Sequence, residues 1–160
     1  MTINSSGLVI PKKIAFQVIA TDTDQAYTAT SGYTKIQWES VALDTASYWD
    51  STNHRYTPQV AGWYLFGGGL RAQMIAGTVS LVSINIAKAG SPNTTDALMQ
   101  QFQTGSDIFT NGEYPLPTGM LQMNGTTDYV EVFYQSEENC TIHDTASRQS
   151  FFWGMLVHPT

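Results

Sequence analysis

Residues 55–70 read RYTPQVAGWYLFGGGL, from Arg55 to Leu70. The run holds a proline, four bulky residues in a row and then three glycines. Two structures compete for it. A glycine-rich phosphate cradle leads from a strand into a helix and is usually followed by Lys and Ser or Thr. Here the glycines lead instead into Leu70-Arg71-Ala72-Gln73-Met74, which continues as strand sequence. The stretch therefore predicts a turn at Pro58 followed by a central β-strand. Tyr64 and Phe66 share one face of that strand, and Trp63 and Leu65 share the other. Glycine inside a strand marks a bulge or the close approach of another backbone. The expectation for Gly67 and Gly69 is that a neighbouring subunit, or its arm, comes close there.

The rest of the chain repeats the strand pattern. Residues 13–20 (KIAFQVIA) and 79–88 (VSLVSINIAK) are rich in β-branched and aromatic residues. Residues 33–39 (YTKIQWE) alternate apolar and polar, as do 119–123 (GMLQM) and 128–135 (DYVEVFYQ). The last such segment is 150–158 (SFFWGMLVH). Turn clusters separate the segments, including Asn111-Gly112 and Asn124-Gly125, a pair favoured in tight hairpins. Residues 95–103 (TDALMQQFQ) are the one helix candidate, and their neighbours argue against it. Many short strands at regular spacing predict a two-sheet sandwich or barrel.

Composition narrows the function. The chain has 160 residues, the size of one domain. Only 12% are charged, about half of the usual ~25%. The net charge of −6 and the scattered basic residues argue against nucleic acid as a partner. No apolar run approaches the ~18 residues of a membrane helix, and residues 1–13 contain no leader-like apolar core. Cys140 is the only cysteine, so an intrachain disulfide is impossible. His54, His143 and His158 form no metal-ligand spacing, and no catalytic constellation is visible. Cys140 with His143-Asp144 lies within one loop, where an inert thiol is the usual outcome. Asp22-x-Asp24, and Glu137-Glu138-Asn139 with Asp144, read as solvated acidic loops rather than calcium sites. Tyr48-Trp49 and Tyr114 are candidates to stack on sugars, with a core-plugging turn preferred for the first pair. Tyr114-Pro115-Leu116-Pro117 reads as a rigid loop. The expectation is a non-enzymatic protein without cofactor or metal.

Four stretches together resemble the C1q-like and tumour-necrosis-factor-like jelly roll. Lys13-Ile14-Ala15-Phe16 resembles the family's opening strand, and Trp49-Asp50 before Tyr56-Thr57 resembles its aromatic-Asp turn. Pro58 with Gly62-Trp63-Tyr64-Leu65-Phe66 resembles its core strand, and Phe152-Trp153-Gly154-Met155-Leu156-Val157 its closing strand. The likeness spans residues 13–158. It implies an all-β fold, a two-sheet antiparallel jelly-roll sandwich over residues 13–160 that forms a homotrimer, preceded by a short N-terminal arm of residues 1–12. It places Leu65, Leu116 and Phe152 at the trimer axis and Tyr64 and Phe66 in the sandwich core. Trp63, by strand parity with Leu65, and Gly67, by its bareness, are added to the expected interface, and Phe16 and Trp38 to the expected core. Leu8, Val9 and Ile10 of the arm are read as an anchor on a neighbouring subunit or capsid.

Stand-alone members of the family occur among bacteriophage head-decoration, cement, fibre and tail proteins. The expected role is thus a virion structural protein assembled in the host cytoplasm, with other capsid or tail proteins as partners. The alternative is a trimeric module that binds a glycan or receptor on the host surface. The chain lacks a collagen stalk and a disulfide pair, and it has Gly67-Gly68-Gly69 where the family keeps larger residues.

Overall fold

Gly62–Met74 forms one long strand, the backbone of the larger of two sheets. The computed structural model describes residues 2–3, 9–10, 13–20, 24–29, 32–74, 81–92, 94–103, 112–142 and 150–160. Among them every regular element is a strand. In chain order these are β1 (Thr2–Ile3), β2 (Val9–Ile10), β3 (Ala15–Ile19), β4 (Gln25–Tyr27) and β5 (Thr34–Lys35). Next come β6 (Ser40–Asp44), β7 (Trp49–Asp50), β8 (Arg55–Tyr56), β9 (Gly62–Met74) and β10 (Leu81–Lys88). The last are β11 (Ala97–Gln103), β12 (Gly112–Met123), β13 (Val130–Ser136), β14 (Cys140–Ile142) and β15 (Phe151–Pro159).

One sheet runs β4-β14-β9-β15-β3-β6, with β12 also paired to β9. The other runs β11-β10-β13-β8-β7, with β5 also paired to β13. Every pairing is antiparallel. β15 lies between β3 and β9, so the first and last strands of the sandwich are neighbours. β1 and β2 pair only with each other, Thr2 opposite Ile10 and Ile3 opposite Val9. Leu8 lies outside the described residues.

Alternation builds the core. Tyr64 and Phe66 of β9, Phe16 and Val18 of β3 and Phe152 of β15 all point between the sheets and are buried. Val82, Ile84 and Ile86 of β10 meet them from the other sheet. Phe16 stacks on Tyr56 with ring centroids 4.0 Å apart, and Phe152 meets Phe16 edge-on at 5.1 Å. Trp38 is buried and stacks on Phe152 at 6.0 Å. Offset and edge-on pairs of this kind add roughly 0.5–1.5 kcal/mol each beyond area burial.

Several sequence expectations change. Residues 33–39 keep alternating burial, with Ile36 and Trp38 inside, but only Thr34–Lys35 forms ladder pairs. Beyond them, the Trp38 amide donates to His54 Nδ1 at 3.2 Å rather than to a strand. Residues 119–123 and 128–135 are not a hairpin. β12 joins the β9 sheet and β13 joins the other, so Asn124-Gly125 marks a crossing between sheets. Gly125 has φ of +71°, and a Cβ there would lie 2.3 Å from the Ala61 amide nitrogen. Asn124 Oδ1 accepts from the amides of Thr126, Thr127 and Asp128, which fixes the crossing. Tyr114-Pro115-Leu116-Pro117 is strand rather than loop, and among the described residues β12 pairs with β9 alone. A strand with an open edge tolerates proline.

The Trp49–Asp50 turn is held by its carboxylate. Asp50 Oδ1 accepts from the Thr52 and Asn53 amides at 3.0 Å each, and Oδ2 accepts from Asn53 Nδ2 at 2.7 Å. Arg55 Nε lies 3.5 Å away. The Asn53 side chain, then its amide, hold the Asp50 carboxyl below the usual carboxylate range. The folded value is below the unfolded ~3.9. The stabilisation is thus present above pH ~4 and is lost as pH falls through the folded pKa. Asp50→Asn should lower Tm at pH 7 by about 2–4 °C. It should also melt with a smaller drop between pH 7 and pH 3 than the parent. Parallel acid and neutral melts check this.

Candidate functional site

The outward face of the β9 sheet is the most unusual surface of the molecule. Since Tyr64 and Phe66 point inward, Trp63, Leu65, Gly67 and Gly69 point outward. Register brings neighbours beside each. Leu65 sits between Met155 of β15 and Met120 of β12. Trp63 sits between His158 and Gln122, with a bulge in β15 beside it. Gly67 is opposite Trp153, and Gly69 is opposite Phe151 and Pro115. β3 extends the face with Ala15, Gln17 and Ile19, and β6 adds Leu43 opposite Gln17.

Exposure on this face is high for apolar side chains. Met120 is 53% exposed, Val157 54%, Met155 43% and Trp63 40%. Leu65 and Trp153 are half-buried. Among the described residues, the rows from Trp63 to Gly69 hold no Asp, Glu, Lys or Arg on β3, β9, β15 or the outward positions of β12. The chain's net charge of −6 therefore lies elsewhere. Scattered apolar residues on a surface need no explanation, but a contiguous charge-free patch marks an interaction site.

The glycine run has a local cause. A Cβ on Gly67 would lie 2.8 Å from Trp153 Cζ2 and 2.9 Å from Thr118 Oγ1. A Cβ on Gly69 would lie 3.0 Å from Phe151 Cε1. The rings of Trp153 and Phe151 thus fill the space over two bare residues of the adjacent strand. Gly68 faces the other way, and a Cβ there would lie 2.2 Å from the Phe151 carbonyl oxygen. The close approach expected from another subunit is made by the chain's own β15.

Of the five residues expected at a subunit interface, Trp63 and Leu65 lie on this face. Gly67 lies on it too, beneath Trp153. Leu116 and Phe152 do not. They are 1% and 0% exposed inside a single chain, packed in the sandwich core. Leu116 pairs with Gly68 and Phe152 with Gly68 and Val18, all at inward positions. Neither can reach a second copy unless the sheets open. Met120, Met155, Val157 and Trp153 are the face residues that sequence reasoning missed. Alternation in GMLQM and FFWGMLV contained the signal, once Leu121 and Phe152 are known to point inward.

Other candidates resolve as structure. Tyr48 and Trp49 pack against the core, and Tyr114 is buried. Cys140 is fully buried and hydrogen-bonded with Tyr134, and burial pushes its thiol up to about 11. It should resist iodoacetamide at pH 8 in the native protein and react within minutes once unfolded in urea; rapid native alkylation would contradict this burial. Asp22, His143 and Asp144 lie outside the described residues. Among the described residues, no three His, Cys, Asp or Glu side chains are placed to hold a metal ion.

A groove of about 620 Å³ runs between residues 24–28 and 34–39. Gln25 spans its floor: its Nε2 donates to the Gln37 carbonyl and its Oε1 accepts from the Gln37 amide. The Tyr27 hydroxyl donates to Gln25 Oε1 at 2.7 Å. Its lining mixes the polar groups of Asp24, Gln25, Lys35, Gln37 and Glu39 with the apolar surface of Ala26 and Tyr27.

No protein-family model matches the chain, and no curated protein matches it. Solved structures do. Eiger TNF from S. frugiperda superposes with a TM-score of 0.63 at 12% identity, covering 91% of this chain and 93% of that one. Murine APRIL superposes with a TM-score of 0.62 at 11% identity, covering 91% of this chain and 100% of that one. At such identities the likeness is one of architecture, and with the two antiparallel sheets and the central position of β15 it establishes a tumour-necrosis-factor-like jelly roll.

Proposed function

We propose that the chain is a non-enzymatic bacteriophage virion protein. It self-associates as a trimer through the outer face of the β9 sheet and decorates or cements the capsid, or serves in a fibre or tail. The observation that carries the self-association is the charge-free apolar face around Leu65. Each copy carries −6, so like copies repel over most of their surface. The charge-free face is where that repulsion is least and where apolar burial, at roughly 25 cal/mol per Å², is available. The particle role is supported by the resemblance to stand-alone phage members and by a surface poor in charge. In this reading residues 1–12 are a separate arm that fastens the trimer to its lattice, with Leu8, Val9 and Ile10 as the anchor.

Light scattering on the purified protein tests the assembly, and a mass of three chains is expected. Deleting residues 1–12 should leave the number of chains in the assembly at three and abolish co-sedimentation with phage particles. A monomer at high concentration would refute the self-association, and retained co-sedimentation would refute the arm.

The alternative, attachment to a host-surface glycan, is supported by the groove between residues 24–28 and 34–39, where polar groups stand beside the Tyr27 ring. Its amide, hydroxyl and carboxylate groups suit a hydroxyl-rich ligand. A glycan array separates this reading from plain decoration.

A further inference from the structure

Two methionines occupy the centre of the self-association face. Met155, Leu65 and Met120 form one row across β15, β9 and β12. Both thioethers belong to side chains about half exposed in a single chain. The row itself is apolar, and its same-face neighbours Gln122 and Trp153 add no charge. Methionine is the one apolar side chain here that mild oxidants convert into a polar one.

We propose that Met120 and Met155 are oxidation sites that gate self-association of this chain. The inference rests on the self-association reading above. In the step itself, a sulfur lone pair attacks one oxygen of a peroxide, such as hydrogen peroxide. The O–O bond breaks, an S–O bond forms, and water leaves once its proton is transferred. Sulfur is oxidised by two electrons and the peroxide is reduced by two. The sulfoxide oxygen is a strong acceptor, and the side chains of its own row, Met155, Leu65 and Met120, supply no donor to it. Bringing copies together would then bury an unsatisfied polar group, costing each contact roughly an order of magnitude or more in affinity.

Assembly and oxidation therefore exclude one another. Free protomers oxidise, and assembled ones are shielded. Met99 provides an internal reference. It is 45% exposed in the single chain, close to Met155, but it lies on β11 of the other sheet. Its Sδ is 3.9 Å from the Tyr33 hydroxyl. Met123 is buried and serves as the unreactive reference.

The test uses the full chain and hydrogen peroxide, read by peptide mass spectrometry and light scattering. At concentrations where the untreated protein is assembled, sulfoxide should accumulate at Met99 several-fold faster than at Met120 and Met155. On dilution to protomers the three rates should converge. Protein oxidised as protomers should then fail to reassemble at a concentration tenfold above that needed by untreated protein. The double variant Met120→Leu, Met155→Leu should assemble as the parent does and stay assembled after peroxide. Met120→Gln, a polar mimic, should weaken assembly without any oxidant. Circular dichroism of each sample confirms that the sandwich remains folded. Equal assembly of oxidised and untreated parent would overturn the gate, and so would equal loss of assembly in the oxidised double Leu variant. Failure of the untreated parent to assemble at all would instead overturn the self-association on which the gate rests.

Discussion

Leu65→Asp is expected to leave a folded monomer. Leu65 points outward between Met120 and Met155, so the substitution removes no core contact. The half-buried leucine stabilises the single chain modestly, and Tm should fall by only about 2–4 °C. The interface is affected far more. In a trimer closed through this face, three carboxylates would enter an apolar seam with no Lys or Arg beside Leu65 on β9, β15 or the outward positions of β12. An unpaired buried charge costs on the order of 3–5 kcal/mol, or more than a hundredfold in affinity. Light scattering and circular dichroism on the same sample decide the matter. A variant that assembles as the parent does would place the interface elsewhere, and one that does not fold would place Leu65 in the core.

The second large effect is on stability and falls at Gly68. Its inward face lies against the backbone of β15, and an added Cβ would be 2.2 Å from the Phe151 carbonyl oxygen and 3.1 Å from Phe152 Cα. A backbone cannot swing aside as a side chain can. Gly68→Ala must therefore push β15 away from β9 at the level of Phe152, loosening the aromatic core. Overpacking of this kind costs about 1–3 kcal/mol, and a backbone obstacle puts it at the upper end or above. Tm should fall by roughly 6–12 °C. Gly67→Ala meets the Trp153 ring at 2.8 Å, and that ring is half exposed and can tilt outward. It should cost less, and Trp153 emission should shift to longer wavelength. Gly69→Ala meets a Phe151 ring carbon at 3.0 Å and should cost least. Melts of the three variants check the order, and Gly68→Ala melting within about 1 °C of the parent would sink the account.

The two substitutions also mark what the chain's own residues made legible. Alternation in Trp63-Tyr64-Leu65-Phe66 assigns two faces correctly, because both are bulky and only one can be filled from across the sandwich. Phe151-Phe152-Trp153 gives no such contrast, since all three are aromatic. Only pairing with Gly67-Gly68-Gly69 shows that Phe152 turns inward while its neighbours lie over glycines. That register joins residues far apart in sequence, so nothing local corrected the resemblance, which had put Phe152 at a subunit axis. Leu116 was placed there by the resemblance too; separately, its flanking prolines read as a loop, whereas β12, paired among the described residues with β9 alone, accommodates them. Asn124-Gly125 carries a turn signal, but turn chemistry does not say whether the next strand stays in the same sheet. The charge-free face was half legible, in Trp63 and Leu65, and half hidden in methionines that look like ordinary core.

The place of β15 has a consequence for how the protein is made. β3 leaves the ribosome early, yet its ladder partner is a strand translated almost a whole domain later. Until then β3 has only β6 beside it and β9 lacks its neighbour on the β15 side, Phe16 and Phe66 lack Phe152, and the bare glycines have no rings above them. The larger sheet thus cannot close strand by strand during synthesis. Its final pairing is the most distant in sequence, the kind of contact that slows folding and leaves edges open longest. Nascent copies emerging side by side on one messenger would meet with those edges unpaired.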